Sequence, residues 1–308
     1  MFEAVPCEIC GDDRRRTVTE HPDFFFGGDT VYSMHECGGC GAVYQHPRPT
    51  PAAMDSFYPA TYEPYTPAVH TEHWLRQLDR RYGLRKRCRA VTRHVPRGRL
   101  LDVGCATGAF LSEMKRQPGW MVTGIEPSPV AARYVRDEVG VDVVQGVLND
   151  APFAPASFDA ITMWDVLEHV YDSRTVLAQV ARLLRPGGVF VANHPNLDSI
   201  DRRVFGKFWL GYELPRHLYL FPTDLLRRMM AEHGLREVER RCLYGSHAAS
   251  STSLWLLAKT YVGEGRASQW VRRVVFHPLS RVAAMPYFQL IDRWVLGSNV
   301  TVVFKRTG

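Results

Sequence analysis

Residues Arg99 to Phe110 read RLLDVGCATGAF, and the next apolar run, MVTGIEPS, carries an acid, Glu126, near its end. Leu100 to Val103 form a short apolar stretch of the kind that makes a buried parallel strand. The loop Gly104-Cys105-Ala106-Thr107-Gly108 has no bulky side chain, and Ala109 to Gln117 suits a helix. A strand, a tight loop and a helix N-terminus bring backbone N–H groups close to a ligand. An acid closing the second strand, about 20 residues further on, is placed to grip two ribose hydroxyls. The loop alone does not choose the ligand, because nicotinamide-dependent enzymes share it.

The wider order narrows the choice. LDVGCATG, GIEPS, SFDAITMWDVLEHV and LLRPGGVFVANHPN, taken together over Arg97 to Tyr244, resemble the class I S-adenosylmethionine-dependent methyltransferases. The resemblance implies an α/β, Rossmann-like, doubly wound seven-stranded sheet. It also implies S-adenosylmethionine (SAM) as cofactor and S-adenosylhomocysteine as product. Carried onto this chain, the cofactor-binding positions are Asp102, Gly104, Cys105, Ala106, Gly108, Glu126, Pro127, Val147, Leu148, Trp164 and Asp165. Two positions depart from the family pattern. Ala106 replaces the usual middle glycine, and it fits if its φ is negative. Val147 replaces an acid that accepts the adenine amino proton in many members. Val147 and Leu148 are expected to pack on the ring instead, with Asn149 or Asp150 as acceptors.

Strand and helix patterns alternate after Glu126, at 129–139, 141–144, 158–163, 173–184 and 188–193. Such alternation makes a parallel sheet covered on both faces, with ligands bound beyond the carboxyl ends of the strands. Trp164 and Asp165 end the fourth strand. The run Asp165-Val-Leu-Glu168-His169 resembles the metal triad of ubiquinone-pathway and small-RNA O-methyltransferases, although LEH also occurs in metal-free members and Asp165 is the shorter acid. Removing a proton from an acceptor hydroxyl suits a histidine of near-neutral pKa. His217 and His194 are therefore the catalytic candidates, with Asp165 as a third. Trp209, Tyr212 and His217 are expected to wall the substrate pocket, and Thr223 to cap the helix that follows.

Ahead of this core, Cys7-Glu-Ile-Cys10 and Cys37-Gly-Gly-Cys40 form a paired C-x2-C arrangement. Each pair resembles a turn that points two thiolates at one tetrahedral ion. Cys7, Cys10, Cys37 and Cys40 are therefore expected to hold a structural Zn2+ in a zinc ribbon. No run in the sequence reads as a secretory leader, so disulfides are not expected and a cytoplasmic location is. Four protein ligands leave no open position, so this site is assigned no catalysis. The ribbon, the connector PRPTPAAMDSFYPATY and the core together resemble a bacterial subgroup linked to sugar, cell-envelope or natural-product modification.

The chain of 308 residues divides into a ribbon (1–48), a connector with a basic helix (49–96), the SAM-binding core (97–245), a helical insertion (246–298) and the last strand (299–308). In the connector, Pro51 opens a short helix, and Phe57, Tyr58, Tyr62 and Tyr65 pack on the core or roof the site. Trp74, Leu78, Cys88, Val91 and Val95 make the apolar stripe of the basic helix. The insertion reads as two or three amphipathic helices, serving as a cover, a lid or a dimer face. Contact with a membrane or a lipid-linked substrate is a lesser alternative. The uncharged stretch 242–258 is broken by serines and His247 and makes a poor membrane span.

The expected function is methyl transfer to a small-molecule acceptor, with oxygen favoured over carbon or nitrogen, by a monomer or homodimer. Two alternatives stand beside it. An RNA methyltransferase would grip RNA with the ribbon and the basic helix, which carries much of the net charge of +6. Nucleic acid is not favoured, because no N-P-P-[FYW] motif occurs and the aromatic residues are not interleaved with the basic block. The other alternative is a protein that binds the cofactor without methylating.

Overall fold

Strands sandwiched between helices must be apolar on both sides, and the central runs of this chain are. A computed structural model describes residues 1–59 and 74–307. Tyr62, Tyr65 and the side chain of Trp74 lie outside the described residues. The amino-terminal part holds strands β1 (Phe2–Glu3), β2 (Arg15–Pro22), β3 (Val31–Cys37), β4 (Val43–Gln45) and β5 (Arg48–Pro49), then helices α1 (Pro51–Met54) and α2 (Trp74–Thr92). The core follows as β6 (Gly98–Val103), α3 (Ala109–Met114), β7 (Trp120–Glu126), α4 (Pro129–Tyr134), β8 (Asp142–Gln145), β9 (Phe158–Trp164), α5 (Ser173–Leu183), β10 (Leu184–Pro195) and α6 (Ile200–Phe205). The chain continues with β11 (Tyr219–Leu220), α7 (Thr223–Glu232), β12 (Leu235–Arg241), α8 (Ser246–Val262), α9 (Arg266–Val275), α10 (Pro278–Arg293) and β13 (Asn299–Arg306).

Seven strands form one sheet in the order β12-β13-β10-β9-β6-β7-β8. The pairs from β10 to β8 are parallel, and β13 runs antiparallel to both β10 and β12. The period of two along each strand divides the core. Leu101, Val103, Ile161, Met163, Phe190 and Ala192 pack on one face, while Leu100, Ala160, Val189, Val191 and Val303 pack on the other. The strand order reverses at β6, which places a crevice at the carboxyl ends of β6 and β9.

The helical cover is fixed locally by caps. Ser128 accepts the Ala131 N–H at the start of α4, and Asp172 accepts the Thr175 N–H at the start of α5. Thr223 is not a cap: Pro222 takes that position and Thr223 is the first helical residue. The stripe expected on α2 holds near its C-terminal end, where Cys88 and Val91 are buried, but Leu78 is 54% exposed. The insertion is three helices, α8 to α10, between β12 and β13. Among the described residues, no helix is long and apolar enough to cross a membrane.

The amino-terminal module does not stand apart from the core. Its sheet runs β11-β4-β3-β2, so its edge strand comes from residues 219–220. Cys7, Ile9, Cys37 and Tyr44 share a continuous apolar cluster with Leu218, Tyr219 and the sheet residues Leu101 and Phe190. A module this short has too little interior of its own, and the shared interior supplies it.

Candidate functional site

The loop after β6 is held by backbone bonds before any side chain acts. The N–H groups of Gly104 and Cys105 both donate to the Ile125 carbonyl, at 2.8 and 3.0 Å. Gly104 has φ +71°, and a Cβ there would lie 2.6 Å from Val166 Cγ2. The position therefore needs glycine for space as well as for conformation. Ala106 overturns the expectation of a negative φ: it sits at +47°. A non-glycine residue in the left-handed region costs about 1–2 kcal/mol, and the bonded loop imposes that conformation. Ala106→Gly should relieve this, partly offset by the greater freedom of an unfolded glycine. A net gain of about 0.5 kcal/mol is expected in a urea melt; a loss of stability would show that the methyl group is needed.

Glu126 is buried, and its two oxygens accept the N–H groups of Ala106 at 2.8 Å and Ser128 at 2.9 Å. One carboxylate thus ties the end of β7 to the small-residue loop. Burial raises its pKa, against the lowering effect of the two backbone donors. Asp102, buried near the end of β6, accepts the Thr162 hydroxyl at 2.6 Å, and burial pushes its pKa up to about 7. Cys105 and Gly108 are buried and Pro127 is exposed. Of the pair expected to pack on adenine, Leu148 is buried in the core while Val147 is 49% exposed, so only Val147 presents its side chain at the surface.

Just after β9, Asp165 has φ +59°. Its carboxylate accepts from Asn193 Nδ2 at 2.5 Å, Asn299 Nδ2 at 3.0 Å and Tyr244 Oη at 2.8 Å. It therefore knots the ends of β9 and β10 to β13 and to the segment after β12. The Tyr244 ring also packs near Trp164, 6.0 Å between centroids, and the Arg87 guanidinium lies 3.9 Å from the Tyr244 ring centre. Asn193, Asn299, Tyr244 and Arg87 have no local signature in the sequence, because each matters through a partner far along the chain.

The histidines separate. His194 is fully buried at the end of β10, with Nδ1 3.0 Å from the Pro195 carbonyl, and burial pushes its pKa down to about 4. His217 lies beside His169 instead, with ring centroids 4.7 Å apart. Its Nδ1 is 2.8 Å from the Gly211 carbonyl, and burial lowers its pKa to about 4. Both imidazoles are neutral at pH 7, as proton acceptors must be. Trp209 and Tyr212 sit in the apolar seam against the amino-terminal module, where Trp209 borders a small cavity lined by His21, Phe24 and Leu214. They are buried with Met34, Leu214 and Leu220, and Trp209 Nε1 donates to Ser298 Oγ at 3.1 Å. Tyr58 does reach this region, its hydroxyl 3.0 Å from His169 Nδ1, whereas Phe57 packs on Phe2 and Tyr32.

The four cysteines of the amino-terminal module converge, with all sulfurs within 4.8 Å of one another. The sulfurs of Cys7 and Cys40 are 3.6 Å apart, and those of Cys10 and Cys37 are 3.4 Å apart. Zinc–sulfur bonds of about 2.3 Å in a tetrahedron require about 3.8 Å between sulfurs, close to both separations. Each C-x2-C turn is closed by a left-handed glycine: the Gly11 N–H donates to the Cys7 carbonyl and the Gly41 N–H to that of Cys37. The donor set and the turns fit a tetrahedral ion.

Comparison with known proteins agrees with this architecture. The family model described as a methyltransferase domain matches residues 74–240. Over 130 residues the chain is 41% identical to a ubiquinone biosynthesis O-methyltransferase of Xanthomonas campestris pv. campestris (strain B100), covering 40% of this chain and 54% of that one. The chain spans about half the length of the first curated relatives it matches. Two solved structures share the fold. The 1,6-didemethyltoxoflavin-N1-methyltransferase of Burkholderia thailandensis aligns with a TM-score of 0.51 at 15% identity, over 94% of this chain and 99% of that one. The [4+2]-cyclase SpnF aligns with a TM-score of 0.52 at 18% identity, over 84% of this chain and 97% of that one. With more than half of its residues inside the family model, and with the sheet order, small-residue loop and strand-end acid in place, the chain belongs to the methyltransferase domain family.

Proposed function

We propose that the protein transfers the methyl group of S-adenosylmethionine to an oxygen of a small-molecule acceptor and releases S-adenosylhomocysteine. The observation that carries this reading is the buried Glu126 carboxylate bonded to the Ala106 N–H beside the β6–β9 crevice. The similarity to an O-methyltransferase supports oxygen as the acceptor atom. When bound, the cofactor supplies an electrophilic methyl group on a sulfonium. The chain has to hold it, exclude water and align the acceptor. Gly104 to Gly108 present backbone to the cofactor, Glu126 takes its ribose, and Val147 covers its adenine. Trp164 and Asp165 lie at the methyl end. Asp165, already engaged by three donors, acts there as a positioning residue. His194, sealed in the interior, has the same standing. Proton removal is assigned to the group around His217. The four cysteines hold one structural zinc that takes no part in the transfer.

Glu126→Gln tests the cofactor half. Glutamine keeps the size but replaces one acceptor oxygen with a donor. Losing a hydrogen bond to a charged group costs about 1.5–3 kcal/mol, which predicts about 10- to 100-fold weaker S-adenosylhomocysteine binding by calorimetry. Unchanged affinity in a folded variant sinks the assignment.

A further inference from the structure

The helical insertion turns an apolar face outward. Helices α9 and α10 both pack on α8, and each buries one residue, Ser268 and Ile291 respectively. On α9, Arg266, Trp270, Arg273 and Val274 recur at helical spacing and share one side. On α10, Leu279, Val282, Leu290 and Arg293 do the same. All eight are exposed, Trp270 by 65% and Leu279 by 71%. Trp294, just past the end of α10, is 68% exposed. Both helices lie outside residues 74–240, which the methyltransferase family model matches, so the face belongs to the insertion and not to the family core.

Two features decide what covers this face. The first is its residue types. Tryptophan and aliphatic side chains with arginines beside them suit a boundary between water and hydrocarbon, where each long side chain keeps its polar end wet. The second is its charge. From 266 to 293 there are five arginines and one acid, Asp292, and that acid accepts the Ser246 hydroxyl at 2.6 Å. Arg281 pairs with Asp79 of α2, and the Arg272 guanidinium lies 5.2 Å from the Trp255 ring centre. Arg266, Arg273 and Arg293 have no acidic partner among the described residues. A second copy of the chain would set arginine against arginine across a two-fold axis, with no acid on the face to answer them. A negatively charged surface answers them directly. Neither helix is long and apolar enough to cross a membrane, so the face can rest on a bilayer but not span it.

We infer that the outer face of α9 and α10 docks on a bilayer that contains anionic lipid, with both helices lying along the surface. Trp270, Trp294, Leu279, Val282 and Leu290 enter the boundary between headgroups and acyl chains, and the arginines meet the lipid phosphates. Each arginine near an anionic surface strengthens binding about fivefold. Arg266, Arg273 and Arg293 together supply about 100-fold. That attraction falls off within a Debye length, so salt weakens it. Docking depends on the insertion alone and is independent of the methyl-transfer reading.

The test is co-sedimentation of the tag-free full chain, purified in zinc, with two kinds of vesicle. One is phosphatidylcholine alone and the other is phosphatidylcholine mixed with an equal part of phosphatidylglycerol. We expect binding at least about tenfold tighter to the anionic vesicles, and its loss in high salt. The triple variant Arg266→Gln, Arg273→Gln, Arg293→Gln should weaken that binding about 100-fold. The double variant Trp270→Ala, Trp294→Ala should weaken it at least about tenfold. All five side chains are exposed, so both variants should keep the wild-type circular dichroism melt. Absence of wild-type binding to the anionic vesicles overturns the proposal, and so does binding that both folded variants retain. Without vesicle binding, a dimer dissolved by Trp270→Ala would assign the face to a second copy, and salt-sensitive capture of single-stranded RNA would assign it to nucleic acid. Either result overturns the proposal. S-adenosylhomocysteine affinity, read on the same samples, fails separately if the methyltransferase reading is the one at fault.

Discussion

Cys37→Ser is expected to abolish binding of the proposed zinc by the amino-terminal module and to lower the thermal midpoint of the whole chain by about 10 °C or more. Structural zinc contributes about 10–16 kcal/mol to small modules of this kind. Losing even about 5 kcal/mol of that, at about 2–4 °C per kcal/mol, accounts for the shift. The effect should not stay local. Cys37 ends β3, and β3 pairs with β4, which pairs in turn with β11. The Glu8 N–H, inside the first cysteine turn, donates to Tyr219 Oη at 3.2 Å. The Leu218 N–H donates to the Glu168 carbonyl at 2.7 Å, and the Gln45 N–H to the Leu218 carbonyl at 2.9 Å. The cysteine cluster thus reaches Glu168 and His217 through one short sheet. Removal of the ion by a chelator should reproduce the variant. Zinc content by elemental analysis and a circular dichroism melt check both halves. A midpoint that barely moves after zinc is lost would mean that the module is ornamental to the fold.

The reach of the sequence follows from how local each feature is. LDVGCATG and Glu126 are legible because strand, loop and acid are consecutive elements with fixed chemistry. The cysteine cluster is legible because each pair sits in one turn. The last strand is legible despite the three helices ahead of it, because NVTVVFK is an apolar β-branched run wherever it falls. What stays hidden is long-range. Nothing near residue 219 announces that two residues will complete a sheet begun at residue 15. Asp165 reads as a chemical group, yet its three donors, from residues 193, 244 and 299, make it a structural knot. Trp209 and Tyr212 are legible as aromatic residues, but that their burial lies in the seam between module and core is not. Ala106 departs from expectation for another reason. The loop bonds to β7 dictate its φ, and local preference loses to them.

Arg216→Ala is expected to cost about 3–5 kcal/mol, the usual result of breaking a fully buried ion pair from one side. Arg216 is completely buried, and its guanidinium forks onto Asp23, Nη1 to Oδ2 at 2.7 Å and Nη2 to Oδ1 at 3.1 Å. Its Nε donates to Glu213 Oε1 at 2.9 Å, and the Phe25 and Phe26 rings lie 5.6 and 5.0 Å away. Alanine would leave the Asp23 carboxylate buried without its cation, and that stranded charge carries most of the loss. Asp23→Asn in the same chain should therefore restore part of it, since the amide still accepts from the N–H groups of Phe25 and Phe26 through its oxygen. The two changes should be strongly non-additive in a double-mutant cycle followed by urea denaturation. Additive losses, or a single-variant loss under about 1 kcal/mol, would show that this pair behaves like a surface bridge. The placement of the pair says why it matters. Asp23 belongs to the turn after β2, and Arg216 directly precedes His217. One buried fork therefore fixes the position of His217 relative to the amino-terminal module, independently of the β4–β11 pairing on the other side of the same segment.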